Sequence, residues 1–161
     1  MKDKKSLIWH TLIILFVIGF DQLTKYLTVK LLALGESFPI IEGVIHFTHW
    51  INRGAAFGML ANHRWVFMLI STLLIVALAV YLYLGKCPNL LYSISISMII
   101  GGGIGNMIDR VYLGYVIDFI DFTLIDFAIF NIADSFVCVG AGLLVLALLL
   151  DIIKEAKAAK K

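Results

Sequence analysis

Residues 65–84 read WVFMLISTLLIVALAVYLYL, a run without a single charged side chain. An α-helix needs about 20 apolar residues to cross the hydrocarbon core of a bilayer, because each residue advances the helix by about 1.5 Å. This run therefore predicts a transmembrane helix.

Three further segments of the chain have the same character, at about residues 7–26, 89–108 and 127–150. The first carries Asp21 and Lys25 near its end, the second is uncharged, and Asp134 is the only charge in the third. Of the 161 residues, 61% are hydrophobic and 15% are charged, a composition far from that of a soluble domain. The sequence predicts an all-α membrane protein with four transmembrane helices, forming a single domain over residues 1–161.

The basic residues predict the orientation of these helices. They precede the first segment, lie between the second and third, and follow the fourth: Lys2, Lys4, Lys5, Lys86, Lys154, Lys157, Lys160 and Lys161. Four crossings place these three regions on one side of the membrane, which the positive-inside rule makes cytoplasmic. Both termini are therefore expected in the cytoplasm, and the other two loops are expected outside.

A cleavable signal peptide is the alternative interpretation of the first segment, because residues 1–5 are basic and an apolar stretch follows. We see no convincing small-x-small cleavage site after it, and three more apolar segments follow. We therefore expect the first segment to remain as a membrane helix.

The outer region between the first two helices is predicted to contain β-structure, over about residues 38–60. Apolar and polar residues alternate from Val44 to Asn52, which is typical of a half-buried strand. A second extended piece is expected near Tyr115 to Phe119. Together they predict a small β-sheet on the outer face, with an outer loop around Asp121.

A cluster of glycines in the third helix has two interpretations. Gly101, Gly102, Gly103 and Gly105 suggest a nucleotide-binding loop, but no strand precedes them and they lie within an apolar run. Glycines four residues apart allow transmembrane helices to pack closely. Close packing is the favoured interpretation, also for Gly140.

Polar and charged residues gather at the predicted outer ends of the helices. They are Asp21, Lys25, Asn52, Arg53, Asn106, Asp109, Arg110, Asp118, Asp121, Asn131 and Asp134. Ionisable groups at the edge of a bilayer cost a few kcal/mol each, so a functional role is the first hypothesis. Structural alternatives remain: a helical ion pair of Asp21 with Lys25, interfacial anchoring by Asp109 and Arg110, and solvated loop charges at Asp121 and Asp126.

Three outer histidines, His46, His49 and His63, raise the possibility of a metal site. Their spacing matches no compact ligand set, so we expect neither a metal nor another cofactor.

Asp134 is the most informative of the charged residues, because sixteen uncharged residues follow it. A carboxylate at the hydrocarbon boundary needs a partner, and Asp118 is the best candidate. Two close carboxyl groups cannot both ionise easily, so one retains a proton while the other stays charged. Such a pair can activate water and polarise a carbonyl group, as cleavage of a peptide bond requires.

Buried acids also occur in proton-coupled transporters, and a scaffold protein is a third possibility. A transporter favours polar residues near the membrane midplane and often has two repeated halves. Here residues 65–84 are apolar throughout and the acids lie at one face. The peptidase is the favoured hypothesis.

Five motifs then carry a resemblance to a known family. They are DQLTK from Asp21, NRGAAFG from Asn52, GNMIDR from Gly105, VIDFID from Val116 and FNIADS from Phe130. In this order and at these helix ends, the chain resembles the lipoprotein signal peptidase family, signal peptidase II. The resemblance implies a bacterial aspartic endopeptidase of the inner or plasma membrane, which removes the signal peptide from prolipoproteins by cutting before a diacylglyceryl-modified cysteine.

The resemblance also implies roles for individual residues. The catalytic pair falls on Asp118 and Asp134. Supporting positions that shape the site or hold substrate fall on Asp21, Lys25, Asn52, Gly54, Asn106, Asp109, Arg110 and Asn131. We expect a monomer whose partners are prolipoproteins and membrane lipids, without nucleic acid.

Overall fold

The computed structural model of the protein describes residues 4–54, 64–125 and 127–159. Within these ranges the chain forms four α-helices: α1 (Lys4–Leu31), α2 (Arg64–Tyr83), α3 (Leu90–Tyr112) and α4 (Ile132–Ala158). Three strands complete the fold: β1 (Ser37–Ile41), β2 (Ile45–Asn52) and β3 (Val116–Asp121). A short 3₁₀ turn, Thr123–Ile125, follows β3.

The helices differ in length from the predicted segments. α1 continues to Leu31 rather than ending near residue 26, and α3 continues to Tyr112 rather than residue 108. The predicted segments were limited by the thickness of the hydrocarbon core, whereas a helix continues into the polar interface as long as its backbone bonds are made.

α4 begins later than predicted, at Ile132 instead of residue 127, and continues to Ala158 instead of residue 150. Asn131 caps the helix with an extended backbone, at φ −132°, which excludes the preceding residues from the helix. Phe130 instead pairs with Ile120 at the end of β3.

Three of the four helices are long and apolar enough to cross a membrane: Leu7–Leu31, Leu90–Tyr112 and Ile132–Ala158. In α2 the apolar stretch Met68–Tyr83 is shorter than these three. The crossing of α2 therefore remains a prediction.

α3 is the central helix, since it packs against α1, α2 and α4. In the most apolar part of α3, 56% of the residues are buried inside the protein, compared with 22% in α1 and 11% in α4. α1 and α4, which lie at the periphery of the helix bundle, thus present large apolar side chains to their surroundings, as lipid-facing helices do.

Glycines allow the close packing around α3. A Cβ atom on Gly102 would collide with the backbone carbonyl of Ala133, and one on Gly101 would lie 2.8 Å from the Val17 Cβ. A Cβ on Gly140 of α4 would lie 2.8 Å from the Ser95 carbonyl oxygen. The packing interpretation of these glycines is confirmed.

The strands form one antiparallel sheet in the order β1-β2-β3. The β1–β2 turn places Gly43 at φ 68°, a conformation that favours glycine. β2 pairs with β3 so that Trp50 lies opposite Asp118 and Asn52 opposite Val116. The small predicted sheet is confirmed; of the predicted segment 38–60, residues 55–60 lie outside the described residues.

Candidate active site

Asp118 lies on β3 with only 1% of its surface exposed. Its Oδ1 accepts a hydrogen bond from the Asn131 side-chain amide at 2.7 Å, and its Oδ2 accepts one from the Asn52 amide at 3.0 Å. β2 supplies Asn52 through the strand register, and the start of α4 supplies Asn131. Both carboxylate oxygens are therefore held by neutral donors.

Asp134 lies in the first turn of α4, where it belongs to the helix cap. Its Oδ2 accepts from the backbone N–H of Asn131 at 3.2 Å, and the Asn131 side chain accepts from the Asp134 N–H at 2.9 Å. This reciprocal pair is a capping box. The Oδ1 atom of Asp134 accepts a hydrogen bond from the Asn106 side-chain amide of α3 at 2.7 Å. The helix cap and this bond between α3 and α4 together fix the Asp134 carboxylate.

Asn131 connects the two carboxylates. Its side chain donates to Asp118 while its backbone N–H donates to Asp134. The same side-chain amide also lies 3.0 Å from Asn106 Oδ1. Asp118, Asp134 and the two asparagines thus form one hydrogen-bonded network across β3, α3 and α4.

The surroundings of Asp118 raise the pKa of its carboxyl group to about 7. Burial is the main cause, and the nearby charge of Asp134 acts in the same direction; the Asn52 and Asn131 bonds and the Lys25 charge oppose the rise. A carboxyl group with this pKa can hold or release a proton near neutral pH.

A buried ion cluster of Lys25, Asp21 and Asp109 adjoins this network. The Lys25 ammonium is 2.8 Å from Asp21 and 3.0 Å from Asp109, and these three side chains are 2%, 0% and 3% exposed. Lys25 also donates to Asn106 Oδ1 at 2.9 Å. Asp109 therefore pairs with Lys25 rather than acting as an interfacial anchor.

The two acids of the cluster also hold the backbone that carries the candidate catalytic residues. Asp21 Oδ1 accepts from the backbone N–H of Ala133, next to Asp134, at 2.9 Å. Asp109 Oδ2 accepts from the N–H of Ile117, next to Asp118, at 3.1 Å. One lysine in α1 thereby orders both segments.

Gln22 is part of this site although the sequence analysis did not single it out. Its amide donates to Asp109 Oδ1 at 2.9 Å and to the Gly105 carbonyl at 3.2 Å. The residue stands inside the DQLTK motif, but unlike the three asparagines it was not recognised as a polar residue at a helix end. Its position beside Asp21 was the available clue.

A groove of about 420 Å³ runs past Asp134. Its lining combines polar and apolar groups: Asn52, Asn106, Arg110, Val116, Phe127, Ala128, Ile129, Phe130, Asp134, Ser135 and Cys138. Arg110 also donates to the Asn106 carbonyl at 3.4 Å. Such a mixed lining suits a ligand that has both polar and apolar groups.

The remaining candidate residues take other positions. Gly54 is buried, and its N–H donates to Asn52 Oδ1 at 3.0 Å, which orients the Asn52 amide. Arg53 is exposed. Asp121 ends β3 and accepts from Thr48 at 2.8 Å, so it is not the free loop charge that was expected; Asp126 lies outside the described residues.

The histidines considered as metal ligands contact other groups. His46 Nδ1 lies 3.2 Å from Ser37 Oγ, and His49 Nδ1 lies 3.0 Å from the Leu32 carbonyl oxygen. His63 lies outside the described residues. Independence from metal ions stays a prediction.

Comparisons with known proteins identify the family. The model of the family described as signal peptidase (SPase) II matches residues 13–150. A lipoprotein signal peptidase of Brevibacillus brevis is 46% identical over 144 residues, covering 89% of this chain and 96% of its own. The chain belongs to the signal peptidase II family.

Other relatives agree with this membership. A lipoprotein signal peptidase of Caldanaerobacter subterraneus subsp. tengcongensis is 48% identical and covers 82% of this chain and 90% of its own. A bacterial membrane enzyme solved by the in meso method at 2.3 Å resolution matches with a TM-score of 0.83 and 39% identity, over 89% of this chain and 88% of that one. Membership makes the protein a membrane-bound peptidase, which favours that hypothesis over a transporter or a scaffold.

Proposed function

We propose that this protein is an aspartic endopeptidase that removes the signal peptide from prolipoproteins by cutting just before the diacylglyceryl-modified cysteine. It works as a single polytopic domain over residues 1–161 in a bacterial cell membrane, with four crossings and both termini cytoplasmic. The site then faces the outer side, where a translocated precursor presents its cleavage region. The working unit is a monomer.

One observation carries the aspartic mechanism. Asn131 binds the carboxylates of both Asp118 and Asp134, and burial together with the Asp134 charge raises the pKa of Asp118 to about 7. A pair of carboxyl groups that interact in this way retains one proton between them over a range of pH. Acid and base are then present in one site.

The reaction follows from this shared proton. The charged carboxylate takes a proton from water as the water oxygen bonds to the scissile carbonyl carbon, and the protonated carboxyl donates to the carbonyl oxygen. The carboxyl that took the proton from water passes it to the leaving nitrogen as the C–N bond breaks. The other carboxylate takes back its proton from a hydroxyl of the tetrahedral intermediate as the new C=O bond forms. The products are a free carboxyl end on the signal peptide and a free amine on the cysteine, so water is the only co-reactant.

The supporting residues hold the pair in place. The buried ion cluster of Lys25, Asp21 and Asp109 fixes the backbone beside each catalytic residue. Asn52, Asn106 and Asn131 hold the carboxylates, Gly54 orients Asn52, and Arg110 lines the groove. We assign the groove to the extended precursor, with the diacylglyceryl chains directed into the bilayer.

Cleavage of a defined substrate tests this function. The purified protein in detergent is incubated, with chelator present, with a synthetic precursor peptide carrying diacylglyceryl-cysteine, and the products are identified by mass spectrometry. We expect one cut before the lipidated cysteine, unchanged turnover in chelator, and no cut in the peptide lacking the lipid. Loss of cleavage in chelator, restored by a divalent ion, would favour a metal mechanism.

Variants of the pair test the mechanism. Asp118→Asn and Asp134→Asn remove the proton exchange but keep the size of each side chain. The single-turnover rate of cleavage should therefore fall by about 10²- to 10⁴-fold. Binding of the lipidated precursor should persist, because the groove and the lipid contacts are intact. Near-normal cleavage by Asp134→Asn would show that the carboxylate pair is not the catalyst.

A further inference from the structure

A second cavity lies between the C-terminal half of α1 and the sheet. Its volume is about 470 Å³, within the range of small-molecule sites. Its walls include Leu27 and Leu31 of α1 and three aromatic residues, one from each strand: Phe38, Phe47 and Phe119. The cavity is at least as large as the groove beside Asp134 and plays no part in the proposed reaction.

β3 separates the two cavities. Successive residues of a strand point to opposite faces of the sheet, and Val116 lines the groove while Phe119 lines the second cavity. Asp118 shares the face of Val116. Phe119 is buried, with its ring centroid 5.9 Å from that of Phe47 in an edge-to-face contact.

The lining of the second cavity suits hydrocarbon. Thr24 and Thr28 are its polar side chains among the described residues. The Thr24 hydroxyl lies 2.8 Å from the Asp21 carbonyl oxygen, and the Thr28 hydroxyl donates to the Thr24 carbonyl at 2.9 Å. Because each hydroxyl proton is used within α1, an apolar occupant loses no hydrogen bond there.

The cavity opens onto the lipid-facing side of α1. The α1 residues up to Leu31 that line it lie inside the membrane-spanning segment Leu7–Leu31. Of the lining residues, Leu31 is 71% exposed and Phe38 is 58% exposed. Leu23, one turn before Leu27 on α1, is 54% exposed. If α1 crosses the bilayer, lipid covers its exposed residues, so lipid chains reach the cavity along this helix.

We propose that this cavity binds one acyl chain of a phospholipid from the surrounding bilayer, in the leaflet on the side of the sheet. Lys30 is exposed in the last turn of α1, and its Nζ lies 5.9 Å from the centre of the Tyr26 ring. Lys30 does not line the cavity, but a long lysine side chain at the end of a membrane helix extends to the head groups, and we assign the phosphate of the same lipid to it. The bound chain packs against Phe119 and so supports the strand that carries Asp118.

Photolabelling locates the chain. The protein is reconstituted in vesicles of phosphatidylglycerol containing a small fraction with a diazirine on one chain, then irradiated, and the adducts are mapped by mass spectrometry. We expect adducts on Phe38 and Phe47, because a chain in the cavity reaches these strand residues. Absence of adducts on β1 and β2 in the wild-type protein overturns the proposal.

Two tryptophan variants supply the matched comparison. Leu27→Trp fills the cavity, whereas Leu23→Trp adds the same side chain to α1 outside its lining. Labelling of the strands should fall by about tenfold in Leu27→Trp, equivalent to about 1.4 kcal/mol of lost affinity, and stay unchanged in Leu23→Trp. Equal labelling in both variants, each with a melting temperature close to wild type, contradicts the proposal.

Competition identifies the occupant. Excess unlabelled phosphatidylglycerol should dilute the strand adducts in proportion to its mole fraction. A lipidated precursor peptide should leave them unchanged, because β3 separates the cavity from the groove. Displacement by the precursor alone would assign the cavity to the substrate's own lipid and overturn the proposal.

Discussion

At the scale of single residues, the site depends on neutral amides placed around two acids. Asn131 and Asn52 donate to Asp118, and Asn106 donates to Asp134. Neutral donors hold a carboxylate in place without the large fall in pKa that an adjacent cation would cause. The pKa of Asp118 can therefore stay near 7, where proton exchange with water and peptide is feasible.

This pKa predicts the pH dependence of cleavage. The working form of the pair holds one proton, so kcat/KM should fall as the pH rises through about 7 and the proton is lost. Asn52→Ala removes a donor that favours the charged form of Asp118, so the pKa should rise and the falling limb should move to higher pH. The measurement is kcat/KM for the lipidated precursor over the whole pH profile.

Thr48→Val is the control for this shift, since Thr48 lies on the same strand but donates to Asp121. Its falling limb should coincide with that of the wild type. A limb that stays in place in Asn52→Ala would show that Asp118 does not control the profile.

At the scale of secondary-structure elements, α1 holds the site together through Lys25. The lysine forms ion pairs with both Asp21 and Asp109. These two acids bind the backbone N–H groups of Ala133 at the start of α4 and of Ile117 in β3. Removing one partner of a buried ion pair leaves an uncompensated charge and costs about 3–5 kcal/mol. The ionic cluster therefore connects the fold to the position of both acids.

Lys25→Met should consequently destabilise the whole protein. We expect a clearly lower melting temperature in detergent and a loss of cleavage that follows the loss of folded protein. Lys30→Met, on the exposed side of the same helix, should melt like the wild type. Equal melting temperatures for the two variants would mean that the buried cluster adds little to stability.

The contact between α3 and α4 predicts opposite effects for two nearby glycines of α4. A Cβ on Gly140 would lie 2.8 Å from the Ser95 carbonyl oxygen, whereas a Cβ on Gly142 meets no atom within 4 Å. Gly140→Ala should cost about 1–3 kcal/mol of unfolding free energy through overpacking. Gly142→Ala should be neutral or stabilise the helix by up to about 1 kcal/mol.

Unfolding in mixed micelles with increasing denaturing detergent measures both variants against the wild type. If Gly140→Ala were as stable as Gly142→Ala, the close approach of α3 and α4 at this level would be wrong.

At the scale of the whole molecule, the sequence predicted the helical membrane architecture from its apolar runs, the small sheet from the alternation of apolar and polar residues, and the family from its five motifs. It did not predict the start of α4 at Ile132, which depends on the Asn131 cap and on the pairing of Phe130 with Ile120. It also missed Gln22, whose partners Asp109 and Gly105 lie far along the chain. The Asn131 cap is a local signal, since its partner Asp134 is three residues away, and the sequence analysis passed over it. The strand pairing of Phe130 and the contacts of Gln22 depend on tertiary packing, which local patterns do not encode.

The crossing of α2 decides the topology of the whole molecule. Glu42 lies in the exposed turn before α2, between β1 and β2, and Lys86 lies in the exposed turn after α2. If α2 spans the bilayer, the two turns lie on opposite sides, and the positive-inside rule places Lys86 in the cytoplasm. Single cysteines at these positions, in a protein with Cys87 and Cys138 changed to serine, report the side directly.

We expect a membrane-impermeant thiol reagent to label Glu42→Cys in intact spheroplasts, and to label Lys86→Cys only after the membrane is permeabilised. The cysteine-free protein should stay unlabelled in both conditions. Because α2 is the only helix between the two turns in the described residues, labelling of both cysteines from the same side would mean that α2 does not cross. The site would then no longer have its predicted place at the outer face, where a translocated precursor could reach the two aspartates.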